Sequence, residues 1–339
     1  MKNVRRLLLH VGPHKTGSTA IQIGLEKQAA EIASFDWTFM RFESMQGGAH
    51  RLADLLSADR LEEAAPYMDQ LKDATGKTVV SSENFSRLKE AQAQAFLEAI
   101  GFDEVRVVYY LRNPLNRLKS AWRERVKHGY RYTFVEFIAG RLSRPFNDVE
   151  INDALKIKPW VNAVGTSFCD IHLYDEIEDV AKHFFSIYFP DVQVNREGTT
   201  NRVNRSFSAE KTEVLRALSG CQTHLLNNRS YDQHVDNLCN SIKQISENQK
   251  INYTRKFTLS LNSAIMMRIE RMLMDEFSNS LKLGKERDHI FHERTVTWEY
   301  LAPEIWLEQP NLTKQLFEFR TKLLAELGVP IFDQRLRNL

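Results

Sequence analysis

The segment of residues 7–22 is the feature that most constrains how this chain can fold. It reads Leu-Leu-Leu-His-Val-Gly-Pro-His-Lys-Thr-Gly-Ser-Thr-Ala-Ile-Gln. The apolar run at residues 7–11 predicts a buried strand, and Ile21 and Leu25 begin a helical stripe. Between them lies a loop bounded by Gly12 and Gly17. A strand that passes through a short glycine loop into a helix is typical of a parallel sheet covered by helices.

Three further runs have the composition of strands, at residues 77–81, 105–111 and 170–174. Helical patterns separate them, and alternating strands and helices indicate an α/β fold. We therefore expect a central parallel sheet with helices on both faces, in the three-layer arrangement of P-loop proteins.

The pattern changes after a polar, turn-rich stretch at residues 190–206. No convincing strand follows it. The expected helices lie at residues 208–218, 259–283 and 312–327. We expect an α/β core over residues 1–208 and a mainly helical C-terminal region over residues 209–339 that packs on the core.

Composition excludes several classes of protein. The formal net charge of the 339 residues is +2, which argues against a general nucleic-acid binder. The three cysteines show no metal-ligand spacing and suit reduced thiols. No run approaches the roughly 20 apolar residues of a membrane helix. We expect a cytoplasmic protein without a membrane span, and the sequence leaves its oligomeric state open.

The loop at residues 12–19 has the chemistry of a phosphate site. Glycine lets the backbone approach an anion closely, and the N-terminus of the following helix adds partial positive charge. We expect Gly17 to bind through its backbone. The side chains expected to contact the nucleotide are those of His14, Lys15, Thr16, Ser18 and Thr19.

The loop departs from the Walker A pattern, G-x-x-x-x-G-K-[ST]. Ser18 stands where the Walker lysine would be, and Lys15 lies within the loop instead. The strand at residues 105–111 is followed by Arg112 rather than ending in an acidic Mg²⁺ ligand. Both departures disfavour an ordinary kinase or NTPase.

A second anion site is predicted after the strand at residues 105–111. Asn113 is a suitable N-cap and Pro114 a suitable first residue of a helix. Arg112 therefore stands at the carboxyl end of a strand, where open α/β sheets bind ligands. Its side chain is long enough to meet Ser120 at a shared anion.

These two segments resemble the sulfotransferase family that uses 3′-phosphoadenylyl sulfate, over about residues 7–208. In that family the first loop, Pro-x-Lys-[Ser/Thr]-Gly-[Ser/Thr]-Thr, holds the 5′-phosphosulfate, and Arg-x7-Ser with Asn/Asp-Pro after the arginine holds the 3′-phosphate. The matching residues are Pro13, Lys15, Thr16, Gly17, Ser18, Thr19, Arg112, Asn113, Pro114 and Ser120. The resemblance implies metal-independent, in-line transfer of the sulfuryl group, with Lys15 neutralising the leaving oxygen.

The same resemblance implies a base and a closing loop. Glu83 follows the strand at residues 77–81 and is similar to the glutamate that glycan sulfotransferases use as general base, although Asn84 replaces their usual lysine. Other candidates for the base are His14, His50 and His128. A basic loop with Arg202 and Arg205 is expected to close over the nucleotide, as in the family.

The acceptor is expected to carry a hydroxyl, on a glycan or a small metabolite. Five basic residues after Arg112 suit an anionic glycan, but a charge run on a helix is usually a solvated face. They are Arg117, Lys119, Arg123, Arg125 and Lys127. Two alternatives stay open, an atypical P-loop kinase and a non-catalytic nucleotide-binding protein. Ser18 and Arg112 favour a sulfotransferase over the kinase, and Lys15 together with Glu83 favours an enzyme.

Overall fold

The structure is a computed structural model of the chain, and its contacts divide the chain into two compact units. The structure describes residues 4–42, 48–192, 207–218, 231–249, 252–283 and 288–326. Of these, the first unit contains 4–42, 48–117, 145–192, 262–283 and 288–293, and the second contains 118–144, 207–218, 231–249, 252–261 and 294–326. Arg202, Arg205 and Cys221 lie outside the described residues.

A five-stranded parallel sheet forms the centre of the first unit, with the strand order β2-β3-β1-β4-β5. The strands are β1 (Arg6–His10), β2 (Trp37–Phe39), β3 (Lys77–Ser81), β4 (Glu104–Leu111) and β5 (Cys169–Leu173). All four strands predicted from the sequence are present within one residue of the expected ends. The predicted α/β fold with a central parallel sheet and surrounding helices is confirmed. The short strand β2 was missed.

Helices surround this sheet and also make up much of the second unit. In chain order they are α1 (Ser18–Lys27), α2 (Ala29–Ala33), α3 (His50–Ser57), α4 (Leu61–Asp73), α5 (Glu90–Ile100), α6 (Pro114–Lys127), α7 (Phe134–Leu142), α8 (Ala154–Val164), α9 (Val180–Tyr188), α10 (Ala209–Ala217), α11 (Asp232–Gln249), α12 (Ala264–Phe277), α13 (Ile305–Glu308) and α14 (Pro310–Glu326). No helix among the described residues is both long enough and apolar enough to cross a membrane.

The core explains why β1 is continuously apolar. Leu7, Leu8 and Leu9 are each at most 2% exposed, as expected for a strand of a parallel sheet that is covered on both faces. On one face, Leu8 belongs to a buried cluster with Ile21 of α1 and Phe184 of α9. The β1 strand is therefore held rigidly where it delivers the loop at residues 11–17.

The second unit contains two strands that the sequence analysis missed. Strands β6 (Thr254–Ser260) and β7 (Thr295–Leu301) form an antiparallel pair. The rings of Phe257 and Trp298 stack across this pair with centroids 6.0 Å apart. The expectation of a continuous helix at residues 259–283 was therefore wrong at its start, and α12 begins only after its N-cap Ser263.

The contacts also distribute the chain differently from the expected division at residue 208. They group residues 118–144 with later parts of the chain and residues 262–283 with earlier ones. The division into a core at residues 1–208 and a mainly helical region at residues 209–339 packed on it stays a prediction.

Arg117 is not a solvated base of α6. It is 1% exposed, its Nη1 atom donates to Asp153 at 2.5 Å, and the Tyr109 hydroxyl donates to the same carboxylate at 2.6 Å. The Glu150 carbonyl accepts from Nη2 at 2.6 Å. The Arg117 guanidinium is thus occupied by Asp153 and Glu150. It holds α6, α8 and β4 together and is not available to a ligand.

We expect Arg117→Leu to lower the free energy of unfolding by about 3–5 kcal/mol, because it leaves the Asp153 carboxylate buried without its cation. Urea denaturation measures the change. The matched control is Arg6→Leu, since the Arg6–Glu104 pair has side chains 48% and 51% exposed and such pairs contribute at most about 1 kcal/mol. Equal losses in the two variants would contradict the structural role of Arg117.

Candidate active site

The loop at residues 11–17 connects β1 to α1 in a strained conformation. The φ angles of Gly12, Lys15 and Gly17 are 95°, 68° and 76°. Lys15 is a non-glycine residue in the left-handed region, which costs roughly 1–3 kcal/mol unless the surroundings enforce it. The backbone N–H of Tyr110 donates to the Gly12 carbonyl at 3.1 Å. The end of β4 therefore helps to fix the loop from one side.

Close packing explains both glycines of the loop. A Cβ atom on Gly12 would lie 2.7 Å from the Cα atom of Glu83, and one on Gly17 would lie 2.3 Å from Cγ1 of Val180. Both separations are shorter than real Cβ atoms show. Gly12 thus allows the chain after β1 to run directly against the chain after β3. This contact brings Glu83 to the loop.

Two of the hydroxyls predicted to bind phosphate hold the loop itself. The Thr16 hydroxyl donates to the Pro13 carbonyl at 2.7 Å, and the Ser18 hydroxyl donates to the same oxygen at 3.3 Å. Both side chains are buried, whereas Thr19 is half-buried. Helix α1 starts after Gly17 without a side-chain cap. The first N–H groups of a helix have no acceptor within it, so this N-terminus can accept an anion.

Arg112 is brought directly to the loop. Its Nη1 atom donates to the Lys15 carbonyl at 2.7 Å, and its guanidinium lies 5.2 Å from the centroid of the Tyr174 ring. Burial lowers the pKa of Arg112, while nearby Tyr174 and Asp175 act in the opposite direction. The turns that follow β1 and β4 therefore meet at the carboxyl edge of the sheet, at the point where the strand order reverses.

The start of α6 follows the sequence prediction. The Asn113 side-chain oxygen accepts from the N–H of Leu115 at 3.0 Å, which is an N-cap contact. The N–H of Asn113 donates to Asp175 at 2.5 Å. Ser120 lies further along α6, in the second unit, and its half-buried side chain has polar partners of its own. A shared anion between Arg112 and Ser120 stays a prediction.

The Glu83 carboxylate lies among three polar side chains. The Gln22 side chain donates to Oε2 at 3.1 Å, the His14 Nδ1 atom lies 3.6 Å from Oε1, and the His50 Nδ1 atom lies 3.7 Å from Oε2. Burial raises the pKa of Glu83, but the two imidazoles, the backbone and Gln22 outweigh it and hold the pKa below its ordinary value. The carboxylate is therefore ionised at neutral pH.

His14 is oriented by Arg87, a residue that the sequence analysis did not consider. The Arg87 Nη2 atom lies 3.1 Å from Nε2 of His14. Since arginine can only donate, Nε2 accepts and the proton of neutral His14 is on Nδ1, toward Glu83. Desolvation lowers the pKa of His14, Arg87 lowers it further, and Glu83 opposes the change. The neutral form of His14 is thus favoured.

Of the other candidate bases, His50 is a neighbour of Glu83, whereas His128 has Glu124 as its neighbour. His50 begins α3, and its Nδ1 atom lies 3.0 Å from the Ser82 hydroxyl. His128 belongs to the second unit, is 71% exposed and lies 3.4 Å from Glu124. The Asn84 side chain donates to Asp54 at 2.8 Å and so supports the turn after β3.

Sequence reasoning missed Gln22, Arg87 and His10, which surround the predicted residues. Gln22 is fully buried in α1 one turn after Ser18, and a polar residue on the buried face of a predicted helix was a usable signal. His10 is also fully buried, and its Nδ1 atom lies 2.8 Å from the Ser81 hydroxyl. Among the residues that the structure describes, no group of three or more His, Cys, Asp or Glu side chains could hold a metal.

Comparisons with known proteins do not assign a family or an activity to this chain. No protein-family model matches the sequence, and no curated protein is significantly similar to it. A crystal structure of a sulfotransferase from Alicyclobacillus acidocaldarius covers 50% of this chain and 73% of its own, with 17% identity and a TM-score of 0.35. Membership of the sulfotransferase family stays a prediction, and the case for an activity depends on the residues of the site.

The buried imidazole of His10 makes stability depend on pH. Burial lowers the pKa of His10 from 6.5 to about 4. The unfolded chain therefore takes up a proton near pH 6.5 that the folded chain does not bind until about pH 4. Stability falls as the pH drops through this window, and His10 alone should remove about 2 kcal/mol between pH 7 and pH 5.

We expect His10→Gln to reduce that loss, measured by urea denaturation at pH 7 and pH 5. Part of the dependence will remain, because burial also lowers the pKa of His172 to about 4. His128→Gln is the exposed control and should retain the full dependence. An unchanged difference between the two pH values in His10→Gln would refute this account.

Proposed function

We propose that the protein transfers the sulfuryl group of 3′-phosphoadenylyl sulfate to an acceptor hydroxyl. The observation that supports this most directly is the hydrogen bond from Arg112 to the Lys15 carbonyl, 2.7 Å long. It joins the two turns that the sequence assigns to the two ends of a doubly phosphorylated adenosine. The contact between Gly12 and Glu83 adds a carboxylate beside the same loop.

The loop would hold the 5′-phosphosulfate mainly through its backbone. The uncapped N-terminus of α1 supplies N–H groups and partial positive charge. Thr16 and Ser18 hold the loop in shape through the Pro13 carbonyl, while Thr19, His14 and Gly17 would contact the donor. Lys15 supplies the full positive charge that neutralises the bridging oxygen as it becomes part of the leaving phosphate.

The 3′-phosphate would bind between Arg112 and Ser120. A guanidinium matches phosphate oxygens with two parallel N–H groups, and a helix serine can donate a third hydrogen bond. Arg202 and Arg205 would close over the nucleotide. No metal takes part in this proposal, since the charge of the donor is met by Lys15, Arg112 and helix α1.

The proposed reaction is a single in-line displacement. The acceptor oxygen forms a bond to sulfur while the bond from sulfur to the phosphate oxygen breaks, and adenosine 3′,5′-bisphosphate leaves. Glu83 takes the hydroxyl proton, since its carboxylate is ionised and only 16% exposed. Gln22 and His14 orient the two oxygens of the Glu83 carboxylate. Because His14 is neutral, it does not form an ion pair with the carboxylate that would weaken it as a base.

Nucleotide selectivity tests the donor. We expect adenosine 3′,5′-bisphosphate at a hundred times its Kd to raise Tm by roughly 5 °C without Mg²⁺, because binding at that ratio stabilises the native state by about 2.7 kcal/mol. Lys15→Ala and Arg112→Ala should each remove most of this shift. Lys27→Ala, at the far end of α1, is the control. A larger shift with Mg-ATP would favour a kinase instead.

Glu83→Gln tests the base. Once a screen with labelled donor has identified an acceptor, we expect the variant to lose about 10²–10⁴-fold in kcat, since a neutral amide cannot take the proton. The Tm shift with adenosine 3′,5′-bisphosphate should be retained. Glu98→Gln, at an exposed residue of α5, serves as the matched control. Full activity of Glu83→Gln would remove it as the base and leave the donor assignment intact.

A further inference from the structure

A cavity of about 380 Å³ lies in the first unit beside helices α3 and α4. Its apolar lining includes Phe42 and Leu55, which are 5% and 1% exposed, and the half-buried Tyr67. The rings of Phe42 and Tyr67 meet edge to face at 5.5 Å. Polar side chains complete the lining, and a volume in this range suits one small organic ligand.

The cavity and Glu83 both lie at the carboxyl edge of the sheet. Phe42 comes three residues after Phe39, the last residue of β2, and so follows the carboxyl end of a parallel strand. Helix α3 begins at His50, whose Nδ1 atom lies 3.7 Å from the Glu83 carboxylate, and the next residue, Arg51, lines the cavity. One helix thus borders both the carboxylate and the cavity.

The charges at the cavity leave one arginine in excess. Arg60 donates to both oxygens of Glu63, at 2.5 Å each, while the contact of Arg51 with Glu63 is 3.3 Å long. Glu63 therefore keeps a two-pronged partner if Arg51 turns to a ligand. The Arg51 and Glu63 side chains are 50% and 47% exposed, and a pair so exposed contributes at most about 1 kcal/mol. Exchanging it for a ligand anion costs little.

A second arginine lines the same cavity under similar conditions. Arg41 is 57% exposed and lies 3.4 Å from Glu26, which is 44% exposed. Two arginines beside an aromatic surface provide paired N–H donors for an anion and a flat face for a ring.

We propose that this cavity binds a small ring compound that carries a carboxylate or sulfate group, and that this compound is the acceptor. The ring lies against Phe42 and Tyr67, and the anionic group binds Arg51 and Arg41. A hydroxyl of the ring is then presented around the start of α3 toward Glu83. The assignment as acceptor rests on the proposed transferase function, whereas the binding site itself does not.

The test uses two probes that differ only at C6 of the sugar, where p-nitrophenyl β-glucuronide carries a carboxylate and p-nitrophenyl β-glucoside a hydroxymethyl group. Their binding to the full chain is measured by calorimetry without donor. We expect the glucuronide to bind about tenfold more tightly, since a hydrogen bond to a charged group contributes about 1.5 kcal/mol or more. Equal affinities, or no binding of either probe, would overturn the proposed site.

Two substitutions should act in opposite directions. Arg51→Gln is expected to weaken glucuronide binding about tenfold and to leave the glucoside unchanged. Glu63→Gln removes the competing carboxylate and should strengthen glucuronide binding. Lys72→Gln is the matched control, because Lys72 forms a similar exposed pair with Asp69 on α4 but does not line the cavity. Unchanged affinity in Arg51→Gln contradicts the site.

The two proposals fail separately. Loss of the Tm shift with adenosine 3′,5′-bisphosphate would refute the donor assignment and not the glucuronide site. Conversely, if the bisphosphate binds and the glucuronide does not, the donor assignment stands and the acceptor cavity is refuted. If the glucuronide binds but saturating amounts do not block labelled transfer to an acceptor found by screening, the cavity is not the acceptor site.

Discussion

The close approach of Gly12 to Glu83 is the constraint on which the rest of the site depends. A side chain at residue 12 would collide with the backbone after β3, so only glycine allows the loop after β1 to lie there. The hydrogen bond from Arg112 to Lys15 fixes the same loop from the β4 side. Three neighbouring strands thus deliver a loop, a carboxylate and a guanidinium to one edge of the sheet.

Two opposing effects decide whether the Glu83 carboxyl group is charged. Burial alone would favour the protonated carboxyl group, which cannot accept a proton. The amide of Gln22 and the imidazoles of His14 and His50 offset that effect and keep the carboxylate charged. Arg87 in turn selects the form of His14 that presents N–H to the carboxylate. The site therefore maintains an ionised carboxylate without placing a permanent cation directly against it.

Much of the first unit could be predicted because its strands are short apolar runs bounded by turn residues, as at residues 77–81. Strand β7 alternates exposed and buried residues, but this pattern was overlooked in a region assigned to helices. The loop hydroxyls show a different limit. Spacing identifies Thr16 and Ser18 as donors but not their acceptor, which is the Pro13 carbonyl. Arg87 meets His14 only after the turn after β3 has packed against the loop, so local sequence does not identify it.

The left-handed backbone of Lys15 has a consequence for what can occupy that position. Glycine adopts this conformation without the steric cost that a Cβ atom imposes, so a chain shaped by stability alone would carry glycine at residue 15. A long cationic side chain there makes the native state less stable than it could be. This loss of stability is explained if the Lys15 ammonium group has a role other than stabilising the fold.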